Sequence, residues 1–208
     1  FGIVVLDLER LEIKDTYYIG NGISNYKVND ICLHGTVLYA ATENGIFSAS
    51  FDNQNLGNFA NWTKNTSLLY PDSTYISIRS FGGNLYAVKS GETNTLYVNN
   101  GTSWMVSSLT GALGIKVLDV WNDQLIIVGN SGAYIYNISG ELVKYFEKIG
   151  LNPAVVDNDG TFWISEFGAI VSIQNQAVDK TIFIGGPWSA ESFGITARDG
   201  TTWISHGG

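Results

Sequence analysis

Asn158-Asp159-Gly160-Thr161-Phe162-Trp163-Ile164 and Arg198-Asp199-Gly200-Thr201-Thr202-Trp203-Ile204 are two copies of one pattern, 40 residues apart. Each sets Asp-Gly, among the strongest short-range hairpin signals, directly before an aromatic and β-branched run. Moving outward, the same grammar recurs. Val28-Asn29-Asp30-Ile31 leads through His34-Gly35 to Leu38-Tyr39-Ala40-Ala41 and then Asn44-Gly45-Ile46-Phe47. Tyr75-Ile76-Ser77-Ile78 leads through Gly82-Gly83-Asn84 to Leu85-Tyr86-Ala87-Val88. Ile115-Lys116-Val117-Leu118 leads through Asn122-Asp123 to Leu125-Ile126-Ile127-Val128. With Tyr39, Tyr86, Ile126, Trp163 and Trp203 as equivalent anchors, the spacings are 47, 40, 37 and 40 residues.

A period near 40 with four short strands, A to D, is what a propeller blade requires. Strand B is apolar at consecutive positions because a blade packs on neighbours through both faces. Outer strands alternate more, as in Lys180-Thr181-Ile182-Phe183-Ile184. No stretch sustains a helical period, so the expected fold is all-β. It is a β-propeller of four-stranded antiparallel blades with strand A innermost. Blades are expected over about 23–70, 71–112, 113–150 and 151–188, with half-blades at 1–22 and 189–208. The first half-blade supplies strands C and D, the last supplies A and B. They either pair into a closed five-bladed ring or mark a slice of a larger, seven-bladed propeller. Phe1 in place of Met reads as a piece of a longer protein.

Composition narrows function. Hydrophobic residues make up 45% and charged residues 14%, so the chain folds. Net charge −8 argues against nucleic acid or an anionic membrane as partner, since both attract a basic footprint. No apolar run is long enough for a membrane-spanning helix. Cys32 stands alone, so no internal disulfide is available.

The Asp-Gly-x-x-Trp-Ile runs at Asp159 and Asp199 resemble two-component-regulator propeller repeats of Bacteroidetes, with Ser165 and Ser205 where that pattern has Gly. Phe1 to Leu8, Glu12 to Gly20, Val28 to Ile31 and Leu38 to Phe47 together resemble the first propeller of PorZ-type proteins of the type IX secretion system. That resemblance implies a non-enzymatic cell-surface domain, on the outer-membrane exterior, beside a second propeller and a small sandwich. It implies work with a sortase subunit that attaches secreted proteins to anionic lipopolysaccharide. It also favours the slice over the ring. The alternative is a periplasmic oligosaccharide-sensing propeller of a hybrid two-component system.

Catalytic readings are weak. His34 falls in an expected A–B turn and His206 in a B–C turn, at opposite ends of a blade, so they should not meet. Cys32 sits between Ile31 and Leu33 on an inner strand and reads as a buried, inert thiol. Asp157-Asn158-Asp159-Gly160 resembles the opening of a calcium loop, yet it occupies a hairpin-turn position and lacks the downstream Glu. No cofactor or metal is expected. Tyr39, Tyr86, Trp163 and Trp203 share one strand-B position and read as blade packing. Trp121 and Trp188 break the repeat, and Trp188 is either an exposed stacking residue or a loop plug. Glu43, Lys89, Asn130, Glu166 and His206, with Trp188, fall in B–C and D–A loops at one end of the blades. They are either a ligand and partner face or merely solvated tips.

Overall fold

The computed structural model describes residues 2–52, 55–109, 111–147, 154–157, 159, 161–166, 169–174, 177–183, 192–198 and 201–206. The chain forms two compact units, 1–108 and 109–208. Its described regular structure is twenty β-strands and one 3-10 turn at Phe59–Asn61. The fold is a β-propeller built from four-stranded antiparallel blades.

In the first unit Ile3–Asp7 (β1) pairs with Glu12–Tyr17 (β2). The first complete blade follows in order from Val28–His34 (β3), Val37–Thr42 (β4), Gly45–Ser50 (β5) and Thr63–Lys64 (β6). The second is Tyr75–Phe81 (β7), Asn84–Lys89 (β8), Leu96–Asn99 (β9) and Trp104–Val106 (β10). In the second unit the third blade is Val117–Trp121 (β11), Gln124–Gly129 (β12), Gly132–Asn137 (β13) and Leu142–Glu147 (β14). The fourth is Ala154–Val156 (β15), Phe162–Glu166 (β16), Ala169–Gln174 (β17) and Ala177–Phe183 (β18). Ser192–Arg198 (β19) and Thr201–His206 (β20) end the chain as an antiparallel pair.

Turn chemistry sets the hairpins. Between β11 and β12, Asn122 and Asp123 both take positive φ, 48° and 56°, as a two-residue turn matched to strand twist demands. The Asp157 turn follows the hairpin reading. Asp157 Oδ1 accepts from the amides of Asp159 and Thr161 at 3.0 and 2.9 Å, and Oδ2 accepts from the Trp163 indole at 2.7 Å. Its carboxylate is thereby committed to capping and to orienting an indole.

Blade-to-blade packing makes the core. Across the first and second blades, Ala41, Ile46, Ile78, Leu85, Ala87, Tyr97 and Trp104 form one buried cluster, with Cys32 and Tyr39 packed against it. Across the third and fourth, Ile126, Val128, Ile135, Phe146, Phe162, Ile164 and Val171 form another, and Phe146 stacks on Phe162 at 5.3 Å. The strand-B anchors are not uniformly interior: Tyr86 is buried, but Tyr39 and Trp163 are half-buried, and the Trp203 side chain lies outside the described ones. The lone thiol also needs correction. Cys32 is half-buried on the face turned to the second blade, while Ile31 and Leu33 point the other way and are exposed. Strand alternation dictates that reversal, because neighbours along a strand cannot share a face.

Trp104 is nearly sealed, 5% exposed, and its Nε1 has no hydrogen-bond partner among the described residues. Trp104→Ala is expected to cost about 3–5 kcal/mol. Trp104→Phe should cost under half of that, because the smaller ring also removes a buried unsatisfied donor. Denaturant midpoints of the two variants measure the contrast, and equal losses would contradict this account.

Candidate functional site: the loop end of the blades

In the first unit the D–A loop, residues 65–74, is stitched to the B–C turns on either side. Thr74 Oγ1 donates to the Glu43 carbonyl at 2.9 Å, and the Ser90 amide donates to the Thr74 carbonyl at 2.8 Å. Gly45, at φ +105°, lies so close to the Pro71 carbonyl that a Cβ there would collide with it. The loop therefore lies flat against the sheet ends.

Two candidates from the sequence meet this surface. Glu43 is exposed, and its Oε1 accepts from the Lys27 amide at 3.0 Å, so it pins the entry to β3. Lys89 is folded down: its Nζ lies 3.2 Å from Glu92 Oε1 and 4.8 Å from the Tyr70 ring centroid, leaving the side chain 12% exposed. Tyr70 meets Tyr97 edge-on, Tyr97 meets Tyr75 likewise, and the Tyr97 hydroxyl donates to Glu92 Oε2 at 2.5 Å. Lys64 bridges Asp72 and donates to Asn44 Oδ1. The result is a tyrosine cluster bounded by two ion pairs, with the Tyr70 ring 45% exposed beside exposed Leu69.

The phenols hold their protons. Burial, then the Glu92 charge, pushes Tyr75 up to about 12. Burial and the hydrogen bond to Glu92 push Tyr97 well above the usual phenol range. The Tyr97 hydroxyl in turn holds the Glu92 carboxyl below its ordinary value, with Lys89 adding to the effect. At neutral pH the patch offers hydroxyls, an aromatic face and neutralised charges. Such a patch can bind through hydroxyls and an aromatic face.

In the second unit Asn130 sits under its own D–A loop. Its amide donates to the Leu113 carbonyl at 2.7 Å, and Ser131 ties Leu113, Tyr134 and Tyr145 together. Glu166 pairs with Ala169 across β16 and β17, and His206 ends β20 opposite Ser192. The side chains of Glu166 and His206, and the whole of Trp188, lie outside the described residues. Of the six sequence candidates, Glu43 and Lys89 have side-chain polar partners on separate turns, and the Asn130 carboxamide lies against Gly114. Tyr70, Glu92 and Tyr97 were missed. Leu69-Tyr70-Pro71, two apolar residues and a proline inside a predicted loop, was the available signal.

The inner strands carry a second polar cluster. Asp30 accepts from Ser77 Oγ at 2.8 Å, from the Ile78 amide at 2.9 Å and from Arg79 Nη1 at 2.6 Å on both oxygens. Asn29 Nδ2 donates to the Tyr75 carbonyl at 2.8 Å. His34 falls on the last residue of β3 rather than in the turn, with Nδ1 2.8 Å from Ser80 Oγ. A Ser–His pair alone is not a catalytic unit. The carboxylate nearest along the strand, Asp30, is occupied by β7 and by the Ile31 amide of its own strand, so this cluster reads as a latch between inner strands. Among the described residues no three metal-ligating side chains gather.

These features define a class: a β-propeller with a tightly stitched loop face suited to binding. The stretch that carries the sequence resemblance is similar to PorZ: the family model "TSS9, PorZ, N-terminal beta-propeller domain" matches residues 1–63. Similar solved structures share the fold. PorZ of Porphyromonas gingivalis, described as an essential bacterial surface component of the type IX secretion system, aligns with TM-score 0.58 and 17% identity over 90% of this chain and 24% of its own. The extracellular domain of a putative hybrid two-component system of B. thetaiotaomicron aligns with TM-score 0.66 and 15% identity over 98% of this chain and 28% of its own. A protein of unknown function from Bacteroides caccae aligns with TM-score 0.54 and 13% identity over 89% of this chain and 71% of its own. The chain spans about a quarter of the first two. Among curated proteins, none matches. No helix among the described residues is long and apolar enough to cross a membrane, which leaves β-barrels unaddressed.

Burial pushes the Cys32 thiol up to about 12, with Arg79 opposing and Asp30 assisting. A raised thiol pKa leaves almost no thiolate at neutral pH, and the thiolate is the nucleophile. Cys32 is therefore expected to resist alkylation in the folded protein and to react fully in guanidinium. Rapid labelling of the native state at neutral pH would contradict that environment.

Proposed function

We propose that this chain is a non-enzymatic, surface-exposed propeller of a PorZ-like component of the type IX secretion system. Its task is scaffolding in the attachment of secreted proteins to anionic lipopolysaccharide. The observation that carries the reading is the match of residues 1–63 to the PorZ N-terminal propeller. The loop face of the first two blades is the contact surface, and its chemistry selects the kind of contact. Lys64 and Lys89 are both neutralised by carboxylates, and the chain carries net charge −8. A polyanion finds little attraction there, whereas a protein finds an exposed tyrosine held rigid by its neighbours, a common anchor in interfaces. The proposed contact is therefore the sortase subunit of the attachment complex, with lipopolysaccharide bound elsewhere in the assembly.

A second reading, oligosaccharide sensing, draws on the same Tyr70, since an exposed, pinned ring also stacks on sugars. One experiment separates the two. The full-length protein and its Tyr70→Ala variant are tested for binding to the purified sortase subunit, to anionic lipopolysaccharide and to a neutral glycan array. The scaffold reading expects sortase binding weakened at least about tenfold by Tyr70→Ala, the range of an interface hot spot. Neutral-glycan binding lost in the variant would favour the sensor instead. Sortase binding indifferent to Tyr70→Ala would remove this face from the assembly.

A further inference from the structure

The third and fourth blades meet imperfectly. A cavity of about 190 Å³ opens between them, lined by Trp121, Gln124, Ile126, Ile135, Lys144 and Phe146 of the third blade and by Val156 and Phe162 of the fourth. Six of its eight lining residues are apolar or aromatic, and the surface presented to the cavity is about half polar. Lys144 is exposed and Gln124 half-buried, so these two mark the mouth.

The repeat explains why the space exists. In the second blade, Leu85, Asn99 and Trp104 pair across β8, β9 and β10, and Trp104 is buried against the first blade. The first blade has Trp62 at the matching place, one residue before β6 and 6% exposed. In the fourth blade the matching row is Phe162, Ile173 and Val178, and Val178 is 59% exposed. The opposing position shrinks as well, from Tyr39 in the first blade to Ile126 in the third. Two large rings are thus replaced by two aliphatic side chains at one interface. The volume they would have filled is left open, and Trp121 occupies the strand end where the first blade has His34.

Empty apolar volume inside a close-packed interior costs stability, and a cavity of about 150 Å³ holds a benzene ring. The mouth adds a charge preference. Lys144 Nζ lies 4.8 Å from the Phe146 ring and has no carboxylate partner among the described residues. The Gln124 carboxamide likewise has no hydrogen-bond partner among them. An ammonium and a free amide donor at the rim of an aromatic slot fit one chemistry.

We propose that this inter-blade cavity is a binding site for a single-ring aromatic carboxylate, its ring against Trp121 at the edge of the stacked Phe146–Phe162 pair and its carboxylate on Lys144 and Gln124. The site is independent of the loop face and of the secretion role assigned above. It makes the pair formed by the third and fourth blades a sensor of small aromatic acids.

The probes are benzoate and, as the oppositely charged isostere, benzylamine, titrated into the protein at millimolar concentration. The Trp121 indole N–H resonance reports occupancy. Benzoate is expected to shift it saturably and benzylamine to leave it unmoved. Lys144→Gln should weaken benzoate about fivefold or more, the scale of one charge-assisted hydrogen bond. Val178→Trp, which restores the residue type of the first two blades at an exposed position, should raise the melting temperature and abolish the benzoate shift. Benzoate without effect on Trp121 overturns the proposal. So does binding that benzylamine shares, that Lys144→Gln leaves unchanged, or that survives in a folded Val178→Trp protein.

Discussion

Every complete blade in this chain must bury both of its faces, and that requirement governs the rest. A sheet packed on both sides has no room for the polar alternation that a half-exposed sheet carries. Strand β4 therefore carries Ala40 and Ala41, β8 centres on Ala87 and Val88, and β12 runs through Leu125, Ile126, Ile127 and Val128, all but sealed from solvent. Polar groups survive in such interfaces only where they are matched. Asp30 against Ser77, the Ile78 amide and Arg79 is one such case, with both carboxylate oxygens occupied. The register shifts at Val28/Asp30 and Tyr75/Ser77 fall beside that latch, where an extra residue re-aims the strand.

The same requirement makes the interfaces unequal. Opposed faces must fill the space between them, and the side chains that do so come from different strands of different repeats. Where Tyr39 faces the row of Trp104, the interface closes over a buried cluster. Where Ile126 faces the row of Val178, a cavity remains. A repeat fold holds its backbone while varying fillers, so each interface is a separate opportunity to create a site. The loop end obeys a different logic. Its turns are held by backbone hydrogen bonds such as Ser90 to Thr74, and that rigidity lets Tyr70 stay half outside without collapsing onto the sheet.

This division bears on function. A propeller of this kind presents a stiff loop face and a series of inter-blade seams, and neither needs chemistry of its own. Tyr75 and Tyr97 keep their protons, Cys32 stays a thiol, and the Ser80–His34 contact is part of an inner-strand latch. Residues 1–63, which match the PorZ N-terminal propeller model, belong to the unit that carries this loop face.

The blade repeat was legible in the sequence because it is local. Asp159-Gly160 and Asn122-Asp123 mark turns through backbone preferences that need no tertiary partner, and consecutive apolar residues in strand B announce burial on two faces. The resemblance over Phe1 to Phe47 was legible for the same reason, being written in contiguous residues. What the sequence could not reveal was pairing across blades. That Asp30 would meet Arg79, that Lys89 would fold onto Tyr70, and that a cavity would open between Ile126 and Phe162 depend on residues about 20 to 50 positions apart being brought face to face. Such contacts follow from how sheets stack, and side-chain volume has meaning only against the surface it must fill. The period came from the chain alone; the sites came from the packing.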